Sequence, residues 1–150
     1  MGFKGHKGKY VVKNKEKYVG DVNNITYRSS WEKKVMIELD HNPNVYKWTS
    51  EETVIPYRSP IDNRMHRYYV DFTVWYKNAK GEILTTLIEV KPFKETLEPK
   101  KTKGKKKENF IREMQTYLVN QAKWQTAVSI CESKKNHKFI VMTEKDIYGK

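Results

Sequence analysis

Asp71 lies in one aromatic stretch of this 150-residue chain, and Glu89 and Lys91 stand two residues apart at the end of the next. Together they have the side chains that phosphodiester hydrolysis requires. That reaction calls for a cation to neutralise the phosphate and for a water made nucleophilic near neutral pH. Mg²⁺ prefers hard oxygen ligands, and takes one or two carboxylates beside waters and substrate phosphate. Asp71 and Glu89 are the candidate carboxylates, and the Val90 carbonyl is a candidate third oxygen. Lys91 is a candidate for orienting or deprotonating the attacking water, or for offsetting charge at phosphorus. Glu-x-Lys alone carries little, since it begins at Glu32, Glu89, Glu98 and Glu132 alike. Only Glu89 closes a long apolar strand and follows an aromatic strand that contains an Asp. The competing reading makes Glu89 and Lys91 an ordinary solvated strand end. Glu32 adds weight to the site, because carboxylates about 5 Å apart repel by about 3 kcal/mol at an effective dielectric near 20, a cost that a cation offsets. It is equally the third residue of a helix capping box begun by Ser29, and the two roles are compatible.

Periodicity and turn chemistry predict the elements that carry these residues. Ser29 and Glu32, with Trp31, Val35 and Leu39 at helical spacing, predict a helix that Pro43 stops. Residues 45–48 and 53–57 read as short strands, and 58–64 as a turn or loop. Residues 67–77, rich in Tyr, Val, Phe and Trp, read as one strand; 78–81 form a turn and 82–91 the returning strand of a hairpin. Side chains two apart on a strand share a face, so Glu89 and Lys91 point together, and the hairpin sets Asp71 across from that end. A Lys-rich loop is predicted over 92–109, followed by a long amphipathic helix with Phe110, Met114, Tyr117, Gln121, Trp124, Val128 and Cys131 along one stripe. A last strand covers 139–143. This order predicts an α/β or α+β fold with a mixed central sheet flanked by helices. The Gly- and Lys-rich residues 1–24 read as a basic, flexible arm, and 25–150 as a single domain.

The charge balance of 30 Lys+Arg against 18 Asp+Glu, a net +12, points to a polyanionic partner. The absence of any apolar run near 18 residues, or of a signal-like N-terminus, argues against a membrane. The one cysteine, Cys131, offers neither an internal disulfide nor a thiolate cluster, and the histidines are scattered, so any metal is expected to be held by oxygen. Lys100, Lys101, Lys103, Lys105, Lys106 and Lys107 crowd around Gly104 and are predicted to clamp double-stranded DNA without reading its sequence. Arg28, Arg58, Arg64 and Arg67 are predicted to add phosphate contacts. Gln121 interrupts the apolar stripe, where an amide needs a partner, so Gln121, or Asn120 with Lys123, is a candidate for site support. A solvated helix edge is the alternative, and for Lys123 the favoured one. No helix-turn-helix or zinc-finger pattern supports a sequence-specific regulator.

The blocks Tyr27-Arg28-Ser29-Ser30-Trp31-Glu32, Ile55-Pro56-Tyr57-Arg58-Ser59-Pro60, Tyr69-Val70-Asp71-Phe72 and Ile88-Glu89-Val90-Lys91-Pro92 resemble the head completion nuclease family of T-even-type tailed bacteriophages. That family is itself similar to the restriction-enzyme-like N-terminal domain of the TnsA transposase subunit. Asn120-Gln121-Ala122-Lys123-Trp124 and Phe139-Ile140-Val141-Met142-Thr143-Glu144 extend the likeness, which runs from about Tyr27 to Glu144. The resemblance implies a restriction-endonuclease-like core of the PD-(D/E)XK type. It implies an Mg²⁺-dependent DNA endonuclease, with Mn²⁺ able to substitute, whose products carry a 5′-phosphate and a 3′-hydroxyl. The family's acidic residues fall on Glu32, Asp71 and Glu89, and its lysine on Lys91. Val70 stands where the superfamily motif has its proline. The implied setting is the end of DNA packaging, in the host cytoplasm during assembly or in the virion head and neck, with portal or neck proteins as partners. The rival reading is a non-cleaving, DNA-binding head or neck protein that keeps a nuclease fold; the intact Glu89 and Lys91 argue against it.

Overall fold

Ile83–Val90 is the most deeply covered strand of the molecule, with every residue from Thr85 to Val90 buried. Burial on both faces is what its nearly continuous apolar sequence requires. In this computed structural model, which describes residues 7–149, the elements in chain order are β1 (Gly8–Lys9), β2 (Thr26–Tyr27), α1 (Ser30–His41), β3 (Val45–Ser50), β4 (Val54–Arg58), β5 (Met65–Tyr69), β6 (Phe72–Lys77), β7 (Ile83–Val90), α2 (Lys107–Glu132), β8 (His137–Met142) and α3 (Glu144–Tyr148). The central sheet runs β3-β6-β7-β8. Its first two pairings are antiparallel and β7-β8 is parallel, so a crossover carrying α2 joins the last two strands. The fold is therefore mixed α/β around a mixed sheet, as expected.

Alternation along the strands builds two cores. Trp48, Phe72, Val74, Ile88 and Val90 pack with Val35, Met36 and Leu39 of α1 on one face. On the other, Leu87 joins Trp124, Ala127 and Cys131 of α2 and Ile55, Tyr57 and Tyr68 of the β4-β5 hairpin. Asp71, Glu89 and Lys91 alternate with Phe72, Ile88 and Val90, which puts them on the α2 side.

Four expectations differ from what is observed. The stretch 67–77 is two strands, because its first half pairs with β4 and its second with β3 and β7. The chain leaves the sheet at Glu51, a non-glycine residue at φ 59°, and returns at Asp71, where the Glu51 N–H donates to the Asp71 carbonyl at 3.0 Å. The Lys-rich loop ends sooner than residue 109, since α2 starts at Lys107. Helix α2 buries Asn120, Trp124, Ala127 and Cys131, whereas Val128 is exposed, because small Ala127 lets the helix approach the sheet.

The fourth difference concerns the proposed arm, of which residues 1–6 lie outside the described residues. Residues 7–24 are packed: Tyr10, Val12 and Tyr18 are buried, with the Tyr18 ring edge-on to Trp48 at 4.8 Å. Asp40, wholly buried, anchors the segment by accepting from the Tyr10 hydroxyl (2.6 Å) and the N–H groups of Lys13 (2.7 Å) and Asn14 (3.0 Å). Three charge-assisted bonds and three apolar anchors outweigh the composition that suggested mobility.

Candidate active site

The break between β5 and β6 makes the site. Phe72 pairs with Ile88, and continuing that register by one residue sets Asp71 opposite Glu89. One step further, a regular ladder would exchange bonds between Val70 and Val90. Instead the Val70 N–H donates to the Thr53 carbonyl (3.0 Å), and the Val90 N–H donates to Asp71 Oδ2 (2.8 Å). The Asp71 carboxylate thus replaces the acceptor that the ladder lost, and the Val90 carbonyl is left without its ladder donor. Two carboxylates and one carbonyl without a ladder donor thus belong to the residues at which the strands part.

Electrostatics here are strained. Burial pushes the Asp71 carboxyl well above the usual carboxylate range, and the charges of Glu89 and Glu32 push further; the Val90 N–H and Lys91 oppose them only in part. Glu89 is buried, and its oxygens are engaged by the Tyr68 hydroxyl, which donates to Oε1 at 2.6 Å, and by Lys91 Nζ, 3.4 Å from Oε2. Burial and Glu89 raise the Tyr68 hydroxyl far above its ordinary value, so it remains a proton donor.

Glu32 reaches the same neighbourhood from the first turn of α1. Its own N–H bonds Ser29 Oγ at 3.1 Å, as a capping box requires. Its carboxylate, however, takes the Arg28 N–H at 3.0 Å. Burial raises its carboxyl, Glu89 adds to the effect, and Arg28 and Lys91 oppose it.

An open cleft of about 360 Å³ lies against the pair, lined by Arg28, Glu51, Arg67, Tyr68, Tyr69 and Lys123 as well as Asp71 and Glu89. Arg28 forms an ion pair with Glu51. Lys123, half-buried on α2, stands over the Tyr68 ring at 5.5 Å and the Tyr57 ring at 5.9 Å. Its amine is lowered by burial and by Lys91, against the pull of Glu89 and Asp71. The solvated-edge reading of Lys123 is therefore corrected. Helical residues advance by about 100° each, so Gln121 falls on the opposite flank of the buried Asn120–Trp124–Ala127 line from Lys123. Asn120 is buried and lines a separate groove of about 680 Å³ with Leu97, Pro99 and Tyr117.

Of the predicted arginines, Arg28 and Arg67 line the cleft. Arg58 and Arg64 sit at the hairpin tip, where Arg58 donates to the Asn63 carbonyl at 2.7 Å; at 3.3 Å per residue this is roughly 15 Å along β5 from Tyr69. Among the loop lysines, Lys105 is tied down, bonding the Lys100 carbonyl and Glu113, both at 2.8 Å, while the other five are exposed. Sequence reasoning missed Tyr68 and Glu51. Tyr68 looks like one more aromatic in a strand, and nothing in the sequence marks Glu51 as left-handed.

Among the described residues no three His, Cys, Asp or Glu side chains gather closely enough to hold a metal ion by themselves. Two opposed carboxylates and a free carbonyl are instead a partial oxygen shell, which fits Mg²⁺, an ion that keeps waters and completes its octahedron with substrate phosphate.

Comparison with known proteins identifies the family. Residues 42–144 match the family model described as the TnsA-like endonuclease N-terminal domain, so the chain belongs to that endonuclease family, whose fold is restriction-endonuclease-like. The head completion nuclease of Enterobacteria phage T4 is 42% identical to it over 144 residues, spanning 93% of this chain and 91% of that protein. That similarity extends beyond the family match, which begins after Arg28 and Glu32. No solved structure matches.

Proposed function

We propose that this chain is a Mg²⁺-dependent endonuclease that hydrolyses phosphodiesters of double-stranded DNA at phage head completion. The observation that carries the reading is the opposition of Asp71 and Glu89 beside the freed Val90 carbonyl, at the mouth of a cleft. Asp71, Glu89 and the Val90 carbonyl would hold the ion. Bound there, Mg²⁺, for which Mn²⁺ would substitute, supplies charge neutralisation at the phosphate and a more acidic water. Lys91, fixed by Glu89, orients the attacking water and donates to the phosphate as charge builds on it. Glu32, with one oxygen held by the Arg28 N–H, is placed to accept from water through the other. Arg28, Arg67 and the exposed loop lysines bind the DNA backbone. A portal or neck protein would bring the enzyme to its DNA in the host cytoplasm during assembly.

The test is cleavage of linear and supercoiled DNA in Mg²⁺, Mn²⁺, Ca²⁺ or EDTA, with Glu89→Ala alongside. Cutting is expected in Mg²⁺ or Mn²⁺ only, and the variant is expected to bind DNA and leave it intact. Equal cutting by Glu89→Ala would remove the assignment.

A further inference from the structure

The cleft holds a cation that the roles above leave unused. Lys123 Nζ sits over two aromatic faces, and among the described residues it makes no hydrogen bond or ion pair. An ammonium has three donors, and ring faces stabilise its charge without accepting full hydrogen bonds. The nearby acids attract it without reaching ion-pair distance, and their own partners are others: Tyr68 and Lys91 for Glu89, and the Val90 N–H for Asp71 Oδ2. Arg28, in the same cleft, differs in having Glu51 as a counter-ion within the chain. A half-buried ammonium with open donors, facing a cleft beside a carboxylate pair, is free to donate to an anionic oxygen brought into that cleft.

We propose that Lys123 binds a non-bridging oxygen of the DNA phosphate held at the Asp71–Glu89 pair, as a second lysine of the reacting centre beside Lys91. This rests on the nuclease reading and adds a residue to it. The ring faces of Tyr57 and Tyr68 aim the amine, and Tyr68, which also holds Glu89, couples the position of the phosphate-binding lysine to that of the carboxylate.

The experiment compares wild type, Glu89→Ala, Lys123→Met and Lys123→Arg on one linear duplex in Mg²⁺. Binding to the same duplex is measured in Ca²⁺ across a salt series, and thermal unfolding is recorded for each protein. Lys123→Met is expected to lose about 100-fold in kcat, the scale for removing one donor to developing charge. Its unfolding midpoint should stay near wild type, and its log–log salt slope should shrink by about 1. Lys123→Arg should recover at least tenfold of the lost rate. Wild-type kcat and an unchanged slope in Lys123→Met overturn the proposal, as does a rate loss matched by a lower melting temperature in both Lys123 variants. If wild type binds without cutting, the nuclease reading fails by itself. The salt slope then decides for Lys123: a fall of about 1 supports it and an unchanged slope refutes it. If wild type neither binds nor cuts, both readings fall together.

Discussion

Two carboxylates opposite each other across a strand pair work against folding unless something offsets them, and Asp71 faces Glu89 in that way. The cost has a direction in pH. The Asp71 carboxyl is raised in the folded state by burial and by Glu89, so the folded chain resists an ionisation that the unfolded chain makes freely above about pH 4. Wild-type stability in EDTA therefore falls as pH rises from that point towards the folded value. Asp71→Asn keeps an acceptor for the Val90 N–H and removes the repulsion. At neutral pH in EDTA it should be more stable by about 1 kcal/mol, or about 2–4 °C in Tm. The gain should vanish below about pH 4, and calorimetry across pH would show whether it does. At this scale the grouping of three candidate residues was legible: the twofold period of strands and the turn at 78–81 bring Asp71, Glu89 and Lys91 together. The sequence concealed Tyr68 and Glu51, and it offered Lys123 only beside a solvated helix edge, since packing between elements is what no local spacing encodes.

The β4-β5 hairpin and the N-terminal segment are the elements the sequence hid, each for its own reason. The aromatic run from Tyr68 to Tyr76 contains no glycine or proline, so nothing marks the point where pairing passes from β4 to β3 and β7. That switch detaches Val70 from Val90 and leaves the carbonyl free beside the carboxylates. In the N-terminal segment, glycines and lysines mask Tyr10, Val12 and Tyr18, and the decisive partner, Asp40, lies on a different element. Burial alone would raise the Asp40 carboxyl, but the bonds from Lys13, Tyr10 and Asn14 outweigh it and hold the group below its ordinary range. Its contribution to stability is thus present at neutral pH and lost as acid titrates it. Asp40→Asn should cost about 2–3 kcal/mol at pH 7, with the gap from wild type closing well below pH 4. Urea unfolding at both pH values would decide it; an equal loss at both would mean that the charge contributes nothing. Helix α2 makes the opposite trade. Lys106 is its N-cap, without a side-chain bond, and Lys107 lies in its first turn, so positive charge meets the positive end of the helix. Lysines so placed weaken the helix start, which favours a role in binding over one in folding.

Across the whole molecule the net +12 is unevenly used. Lys105 pins the basic loop to Glu113, and Lys100, Lys101, Lys103, Lys106 and Lys107 stay exposed. Replacing Lys100, Lys101 and Lys103 together by Gln should reduce the salt slope of DNA binding by up to about 3 while leaving kcat at saturating DNA unchanged. A slope that does not move would take the loop out of the interface. The fold class and the antiparallel pairing of the two stretches that flank the turn at 78–81 were readable because α and β periods alternate along the chain; the separation into two cores was not, because it depends on where the hairpin leaves the sheet. One edge of that sheet carries a further consequence. Strand β3 pairs with β6 on one side only, and its other side is met by the N-terminal segment, through a parallel bridge between Tyr18 and Trp48 and the Val19 N–H bonded to the Trp48 carbonyl at 2.9 Å. An uncovered edge strand is a template for pairing between molecules. Residues 18 and 19 therefore act as a guard against self-association, and a shortened chain starting at residue 25 would trade a seemingly dispensable tail for sticky, aggregating protein.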